Sequence, residues 1–144
     1  MAEAVTAGVD NNISNLANIS AILFGNLGGV NWAGFYVAGE KDGAEQLLLG
    51  PFQGRPACTS IMRGRGVCGK AFSERRSIVV ENVLEFPGHI ACDERSRSEI
   101  VVPVFRDGAV YGVIDVDSAE YGRFGEDDRE GLEALAALIG RILV

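Results

Sequence analysis

The sequence has few of the residues that build metal centres or disulfide-stapled folds. Among 144 residues it contains three cysteines, Cys58, Cys68 and Cys92, and a single histidine, His89. Zinc sites usually draw on closely spaced cysteine pairs or on several histidines, so we expect no bound metal. An odd number of cysteines also argues against a structural disulfide framework, and reduced thiols are the simplest expectation.

Long apolar runs and basic clusters are missing as well. No stretch is long and apolar enough to cross a bilayer, and residues 1–10 lack the basic start and apolar stretch of a secretory signal. The formal net charge is -7 and the isoelectric point is about 4.7, and an acidic surface repels phosphate groups. We therefore expect a cytoplasmic protein that binds neither nucleic acid nor membranes.

The glycine-rich segment around Gly64, Gly66 and Gly69 does not complete a phosphate-binding motif. These glycines have the GxGxxG spacing, but a mainly antiparallel sheet lacks the βαβ unit in which that pattern binds phosphate, and the segment does not complete a P-loop. Nucleotide binding therefore has weak support in the sequence, and we expect no cofactor.

What is present is an ordinary globular composition, with 47% hydrophobic and 23% charged residues. The length suits one domain, which we assign to residues 1–144. Helical spacing predicts one helix capped by Asp10 and ended by Gly28-Gly29, a short helix over 67–74, and a last helix from Glu126 to about Leu143. Strand patterns are predicted at 30–38, 46–49, 57–62, 77–80, 99–105 and 109–116.

Tight turns at Asp42-Gly43 and Asp107-Gly108 are typical of hairpins, so neighbouring strands should pair antiparallel. The expected fold is α+β, with a mainly antiparallel sheet and the N- and C-terminal helices packed on one of its faces. Residues 81–96 show no clear period, and a loop of this length in a small domain is usually functional or disordered. The apolar residues Leu84, Phe86 and Ile90 should anchor it.

Six segments, in order along the chain, resemble the free methionine-(R)-sulfoxide reductases, which are single GAF domains. They are NWAGFY at 31–36, LGPFQG at 49–54 with Ala57-Cys58, GRGVCG at 64–69, GHIACD at 88–93, SEIVVP at 98–103 and GVIDVDS at 112–118. The likeness spans roughly residues 13–143. It implies an oxidoreductase that reduces free L-methionine-(R)-S-oxide by thiol chemistry, with thioredoxin as electron donor and a homodimer as the assembly.

The resemblance also suggests roles for the cysteines. Reduction of a sulfoxide needs an attacking thiolate, a proton for the leaving oxygen and a second thiol that captures the sulfenic acid. The family motif places the attacking thiol at Cys92 and the recycling disulfide between Cys92 and Cys58. Cys68 is an alternative resolving thiol, although a cysteine at a helix start is often an inert buried residue.

The residues next to Cys92 do not by themselves explain its activation. Asp93 would raise the pKa of a neighbouring thiol, because its charge disfavours the thiolate. We therefore expect activation from another group, with His89, Arg95 and backbone N–H groups as the candidates.

Three carboxylates are expected to meet on one wall of a pocket. Asp115 and Asp117 lie two residues apart on a predicted strand and so share a face, while Glu99 lies on the partner strand. Clustered carboxylates repel, so at least one should keep its proton near neutral pH. We assign Asp117 and Glu99 to the sulfoxide oxygen and Asp115 to the substrate ammonium. The alternative is a solvated strand end.

Trp32 and Tyr36 share one face of the first strand. Aromatic rings make favourable contacts with sulfur, so the pair could hold the thioether methyl of the substrate, whereas the alternative, especially for Tyr36, is core packing. Two other functions stay open: a GAF module that binds a small molecule without turnover, and a redox sensor based on a Cys58–Cys92 disulfide. Sensor modules usually regulate an attached effector, which this sequence does not show, and this favours the enzyme.

Overall fold

The computed structural model describes residues 1–89 and 92–144. In this part of the chain the helices are α1 (Ala2–Thr6), α2 (Asn12–Asn26), α3 (Gly66–Glu74) and α4 (Glu126–Ile142), with a short 3₁₀ helix at Val83–Glu85. The strands are β1 (Val30–Lys41), β2 (Ala44–Gly54), β3 (Ser60–Met62), β4 (Ile78–Val80), β5 (Ser98–Arg106) and β6 (Ala109–Ser118). They form one sheet in the order β3-β2-β1-β6-β5-β4, in which neighbouring strands run antiparallel. None of the helices in the described ranges combines the length and apolar character that a bilayer crossing requires.

Both predicted hairpin turns are confirmed. Asp42 and Gly43 have φ of 54° and 76°, and Asp107 and Gly108 have φ of 51° and 78°. Two successive residues with positive φ form the tight turn whose twist matches antiparallel strands, and an Asx–Gly pair adopts it at low cost. These turns set the register of β1 on β2 and of β5 on β6.

Strand β2 runs further than predicted. Gly50-Pro51 indicates a turn in sequence terms, yet the strand continues to Gly54, with a register shift opposite Gly34 and Tyr36 of β1. Pro51 also lies beyond the three residues of β2 that pair with β3. A proline is tolerated at such an irregular, free-edged position because no ladder N–H is needed there.

The cap of α2 lies one residue later than predicted. The Asn11 side chain, rather than that of Asp10, accepts a hydrogen bond from the Ser14 backbone N–H at 2.9 Å. At the other end of the chain, three acidic residues in the first turn of α4 and Arg141 in its last turn suit the helix dipole. Helix α1 was not predicted.

The two faces of the sheet have different partners, as strand alternation requires. The terminal helices α2 and α4 cover one face, which confirms the predicted α+β arrangement, and α3 covers the other. The face under α2 and α4 is apolar, and its buried core includes Ala33, Phe35, Ile100, Val102, Ile114, Val116, Leu132 and Ile139. The opposite face carries Trp32, Tyr36, Cys68, Val101 and Val113.

The long connection between β4 and β5 is anchored mainly by Val83, which was not predicted as an anchor. Val83 in the 3₁₀ helix is completely buried, and its N–H donates to the Arg97 carbonyl at 2.8 Å. Phe86 packs against the α3-side core as predicted. Leu84 is 63% exposed, so its predicted anchoring role is wrong. Ile90 lies outside the described residues.

Candidate active site

Two of the three cysteines form a disulfide at the edge of the α3 side. Cys58 lies just before β3 and Cys92 in the long loop, and their sulfurs are bonded with Cα atoms 5.6 Å apart. This is the pair that the family resemblance implied. Cys68, the third residue of α3, is a buried free thiol.

The disulfide borders a cavity of about 50 Å³ on the α3 side of the sheet. Except for Cys58, which is bonded to Cys92, every residue assigned to the site from sequence lines this cavity: Trp32, Tyr36, Cys68, Cys92, Glu99, Asp115 and Asp117. His89 lies on the same wall. The sulfur at position 92 and the three carboxylates therefore share a single space.

Strand pairing brings the three carboxylates together. Glu99 of β5 lies directly opposite Asp117 of β6. Asp115 lies two residues before Asp117, on the same face of β6. Glu99 and Asp115 are buried, and the Cys68 thiol donates to the Glu99 carboxylate at 3.9 Å. The Oδ1 atom of Asp115 is buried and has no hydrogen-bond partner among the described residues. An acceptor left in this way is costly unless a ligand donor meets it.

The pKa values of the three acids are unequally shifted. Burial, followed by the charges of the neighbouring carboxylates, raises the pKa of Glu99 and of Asp117 well above the ordinary values. Burial also raises the pKa of Asp115, but hydrogen bonds from Glu99, Asp117 and Cys68 oppose that shift. Asp115 therefore ionises more readily than Glu99 and Asp117, and such an unequal set of carboxyl groups suits acid catalysis beside a cationic group.

The predicted aromatic wall is present and is larger than expected. Trp32 stacks on Tyr36 with ring centroids 5.9 Å apart and on Phe52 at 5.2 Å. The Trp32 indole N–H donates to the Arg55 carbonyl at 3.1 Å, and the Tyr36 hydroxyl donates to the Cys58 carbonyl at 2.9 Å. The rings belong to the packed core, and their hydrogen bonds hold the segment that carries Cys58. Trp32 and Tyr36 therefore line the cavity and pack in the core at the same time.

Arg95 neutralises Asp93 and makes no contact with a thiol in the described hydrogen-bond network. Its guanidinium donates to the Asp93 carboxylate at 2.9 Å, and its backbone N–H donates to the same group at 2.9 Å. These contacts lower the pKa of Asp93. The aspartate next to Cys92 is thus already ion-paired, so its charge opposes a thiolate less than the sequence suggests. His89 lines the cavity, where burial lowers its pKa and favours the neutral imidazole.

Cys68 has a different environment from the disulfide cysteines. Burial, together with the charges of Asp115 and Glu99, raises its pKa well above the ordinary thiol value. A thiol held in the protonated form is a weak nucleophile.

Sequence reasoning missed several residues of the site. Phe52 extends the aromatic wall, and the start of α3 at Gly66 and Val67 closes the cavity. A signal for Phe52 existed in Gly34, its partner across the β1–β2 ladder, because a Cβ there would lie 2.7 Å from the Phe52 Cα. The position of α3 over the sheet has no comparable local signal.

Comparison with known proteins gives a consistent result over nearly the whole chain. The GAF domain family model matches residues 14–144. The free methionine-R-sulfoxide reductase of Escherichia coli is 44% identical over 140 residues, which cover 97% of this chain and 82% of that protein.

Solved structures agree in fold and in sequence. The structure of fRMsr of Staphylococcus aureus in its reduced form has a TM-score of 0.93 and 47% identity, covering 99% of this chain and 90% of that chain. The X-ray structure of free methionine-R-sulfoxide reductase from Neisseria meningitidis in complex with its substrate has a TM-score of 0.92 and 43% identity, covering 98% and 83% of the two chains.

Proposed function

The chain belongs to the GAF domain family and, within it, to the family of the free methionine-R-sulfoxide reductases, and we propose that it reduces free L-methionine-(R)-S-oxide to methionine. One observation carries the proposal: the Cys58–Cys92 disulfide and the carboxylates of Glu99, Asp115 and Asp117 border one cavity. Thiol chemistry and proton donation can therefore act on the same bound molecule.

In the first step the Cys92 thiolate attacks the sulfoxide sulfur. The sulfoxide oxygen takes a proton from Glu99 or Asp117, whose pKa values are raised by burial and by the charges of neighbouring carboxylates. The S–O bond to the substrate breaks, the hydroxyl is transferred to Cys92 as a sulfenic acid, and methionine leaves. The substrate sulfur is reduced by two electrons and Cys92 is oxidised by two.

In the second step the Cys58 thiol attacks the sulfur of the Cys92 sulfenic acid, its proton passes to the hydroxyl group, and the hydroxyl leaves as water. The product is the disulfide seen in the structure. A dithiol reductant then restores both thiols by exchange, and we propose thioredoxin for this step. The raised pKa of Cys68 favours Cys58 over Cys68 as the resolving thiol.

Substrate recognition would use opposite sides of the cavity. Asp115 lines the cavity, and its carboxylate would accept a hydrogen bond from the ammonium of a free amino acid. Trp32 and Tyr36 provide an apolar, polarisable surface for the methyl and thioether groups. A peptide-bound methionine sulfoxide lacks the ammonium, which supports selectivity for the free amino acid.

The remaining expectations stay predictions: a homodimer, a cytoplasmic location, one domain over residues 1–144, and neither nucleic acid nor membrane as partner. The net charge of -7 supports the last of these.

A coupled assay tests the function. With thioredoxin, its reductase and NADPH, free L-methionine-(R)-S-oxide should cause NADPH oxidation, and the S epimer and a peptide-bound sulfoxide should cause little. The Cys92→Ser variant should be inactive, and Cys58→Ser should complete one turnover without recycling. Cys68→Ser is the matched control and should recycle.

Other outcomes identify the alternatives. Turnover that survives in Cys92→Ser would reject Cys92 as the nucleophile. Binding of the sulfoxide without any NADPH oxidation would indicate a ligand-binding module. A disulfide that cycles in the absence of any sulfoxide turnover would indicate a redox sensor.

A further inference from the structure

Three potential metal ligands from distant parts of the chain meet inside the α3 face. The Sγ of Cys68 on α3, a carboxylate oxygen of Glu99 on β5 and one of Asp115 on β6 all lie within 4.8 Å of one another, and all three residues are buried. Their spacing in sequence resembles no metal-binding motif. The fold alone creates the cluster.

A second observation points to a cationic ligand at the same place. Asp115 lines the cavity, and its buried Oδ1 atom has no hydrogen-bond partner among the described residues. A buried carboxylate oxygen without a partner is costly unless a cation or a donor meets it.

The size of the cavity favours an ion. In the disulfide form it measures about 50 Å³, whereas pockets for organic ligands usually measure about 300–1,000 Å³. One water molecule needs about 10–15 Å³ by the same kind of measure. In this form the cavity therefore has room for a cation with one or two waters.

We propose that Cys68, Glu99 and Asp115 form an inhibitory site for a borderline-soft divalent cation of the Zn²⁺ class. One thiolate and two carboxylates, with a water in the fourth position, are a ligand set that Zn²⁺ accepts. The thiolate disfavours Mg²⁺ and Ca²⁺, which prefer oxygen ligands alone. Because Glu99 and Asp115 are also the residues proposed to meet the substrate, the cation and the sulfoxide would exclude each other; this last point rests on the proposed function.

The test uses a protein in which Cys68 is the only thiol. In the Cys58→Ser/Cys92→Ser double variant, Co²⁺ should bind with one equivalent and produce the near-ultraviolet charge-transfer absorption of a thiolate ligand. Adding Zn²⁺ should abolish this absorption, and Mg²⁺ should leave it unchanged. Further replacement by Cys68→Ser should remove it. Asp115→Asn, which preserves side-chain volume, should weaken Co²⁺ binding at least about tenfold, as expected when a buried charged ligand is lost.

Competition is measured on the same variant, which cannot turn over. The R epimer of free methionine sulfoxide should displace Co²⁺, and the S epimer, which chelates free Co²⁺ equally well, is the control. Absence of the charge-transfer absorption, or its persistence after Cys68→Ser, would overturn the metal site. Absorption that appears but resists the R epimer would leave the metal site intact and contradict the proposed position of the substrate. The metal site can thus fail or succeed independently of the reductase assay.

Discussion

The two faces of the central sheet are made by the same strands and differ in almost every physical respect. On β6, Ile114 and Val116 point to the terminal helices and are completely buried in apolar surroundings. Asp115 and Asp117 point the other way, into a cavity with Cys68 and the Cys58–Cys92 disulfide. One face removes apolar surface from water and stabilises the fold. The other concentrates buried carboxylates, which destabilise the fold and supply reactive groups.

The largest expected difference between the faces concerns redox state. The sulfoxide is too large for a cavity of about 50 Å³, so reduction of the disulfide must enlarge the cavity before substrate binds. We expect calorimetry to detect binding to the reduced Cys92→Ser protein and none to the disulfide form. Amide hydrogen exchange in α4 should be the same in both states, because that helix packs on the opposite face. Equal binding to both states would contradict this.

Ile114→Ala should be among the most destabilising single changes. It leaves a cavity at a completely buried position of the apolar core and should lower the free energy of unfolding by about 2–5 kcal/mol, as measured by urea denaturation. The kcat/KM of the folded fraction should change little. The adjacent Val113→Ala, on the cavity face, is the matched comparison: a smaller loss of stability with a larger change in kcat/KM. The reverse pattern would show that the faces do not divide stability from function.

Asp115→Asn should move stability and activity in opposite directions. Burial raises the pKa of Asp115 despite its hydrogen bonds, so removing its charge should raise the free energy of unfolding by about 1–2 kcal/mol. Loss of the contact with the substrate ammonium should lower kcat/KM by about 10–100-fold, since a hydrogen bond to a charged group contributes about 1.5–3 kcal/mol. Thermal denaturation and the coupled assay measure the two effects. A variant that is both less stable and fully active would refute this view of Asp115.

Glu99→Gln should remove part of the pH dependence of stability. Above its ordinary pKa of 4.5, Glu99 ionises in the unfolded chain while the folded protein keeps the proton. Stability therefore falls as the pH rises from 4.5 through the raised pKa, and below 4.5 the group has no effect. Over this range the free energy of unfolding of the variant should rise relative to that of the wild type as the pH increases. Asp115, Asp117 and Cys68 on the same wall keep their own contributions to the pH dependence of stability in both proteins. Parallel stability curves would contradict the raised pKa.

Asn11→Ala should have the smallest effect. It removes the side-chain cap of α2 on the helix-covered face and should lower the free energy of unfolding by about 1 kcal/mol. No change in kcat/KM is expected, because α2 does not border the cavity. Asp10→Ala serves as the control and should have almost no effect on the melting temperature. A larger effect of Asp10→Ala than of Asn11→Ala would show that Asp10, as predicted from the sequence, is the residue that caps α2.

Local patterns predicted the elements well where the interaction partners are close in sequence. The hairpin turns at Asp42-Gly43 and Asp107-Gly108 and the extent of α3 follow from short-range backbone preferences, and the structure has them. Strand β2 was predicted too short because Pro51 ends a strand in most contexts. Its tolerance here depends on a register shift and a free edge, which are properties of the assembled sheet.

By itself, the sequence determined the α+β class, the alternation that separates Asp115 and Asp117 from Ile114 and Val116, and a family likeness strong enough to single out the cysteines. Strand alternation and turn geometry depend on only a few neighbouring residues and can therefore be predicted from the sequence. Only the tertiary structure decided that Cys68 lies against Glu99 and that one Asp115 oxygen is left without a partner. These residues belong to α3 and to two strands, and elements so far apart in sequence come together only when the apolar faces of the fold pack.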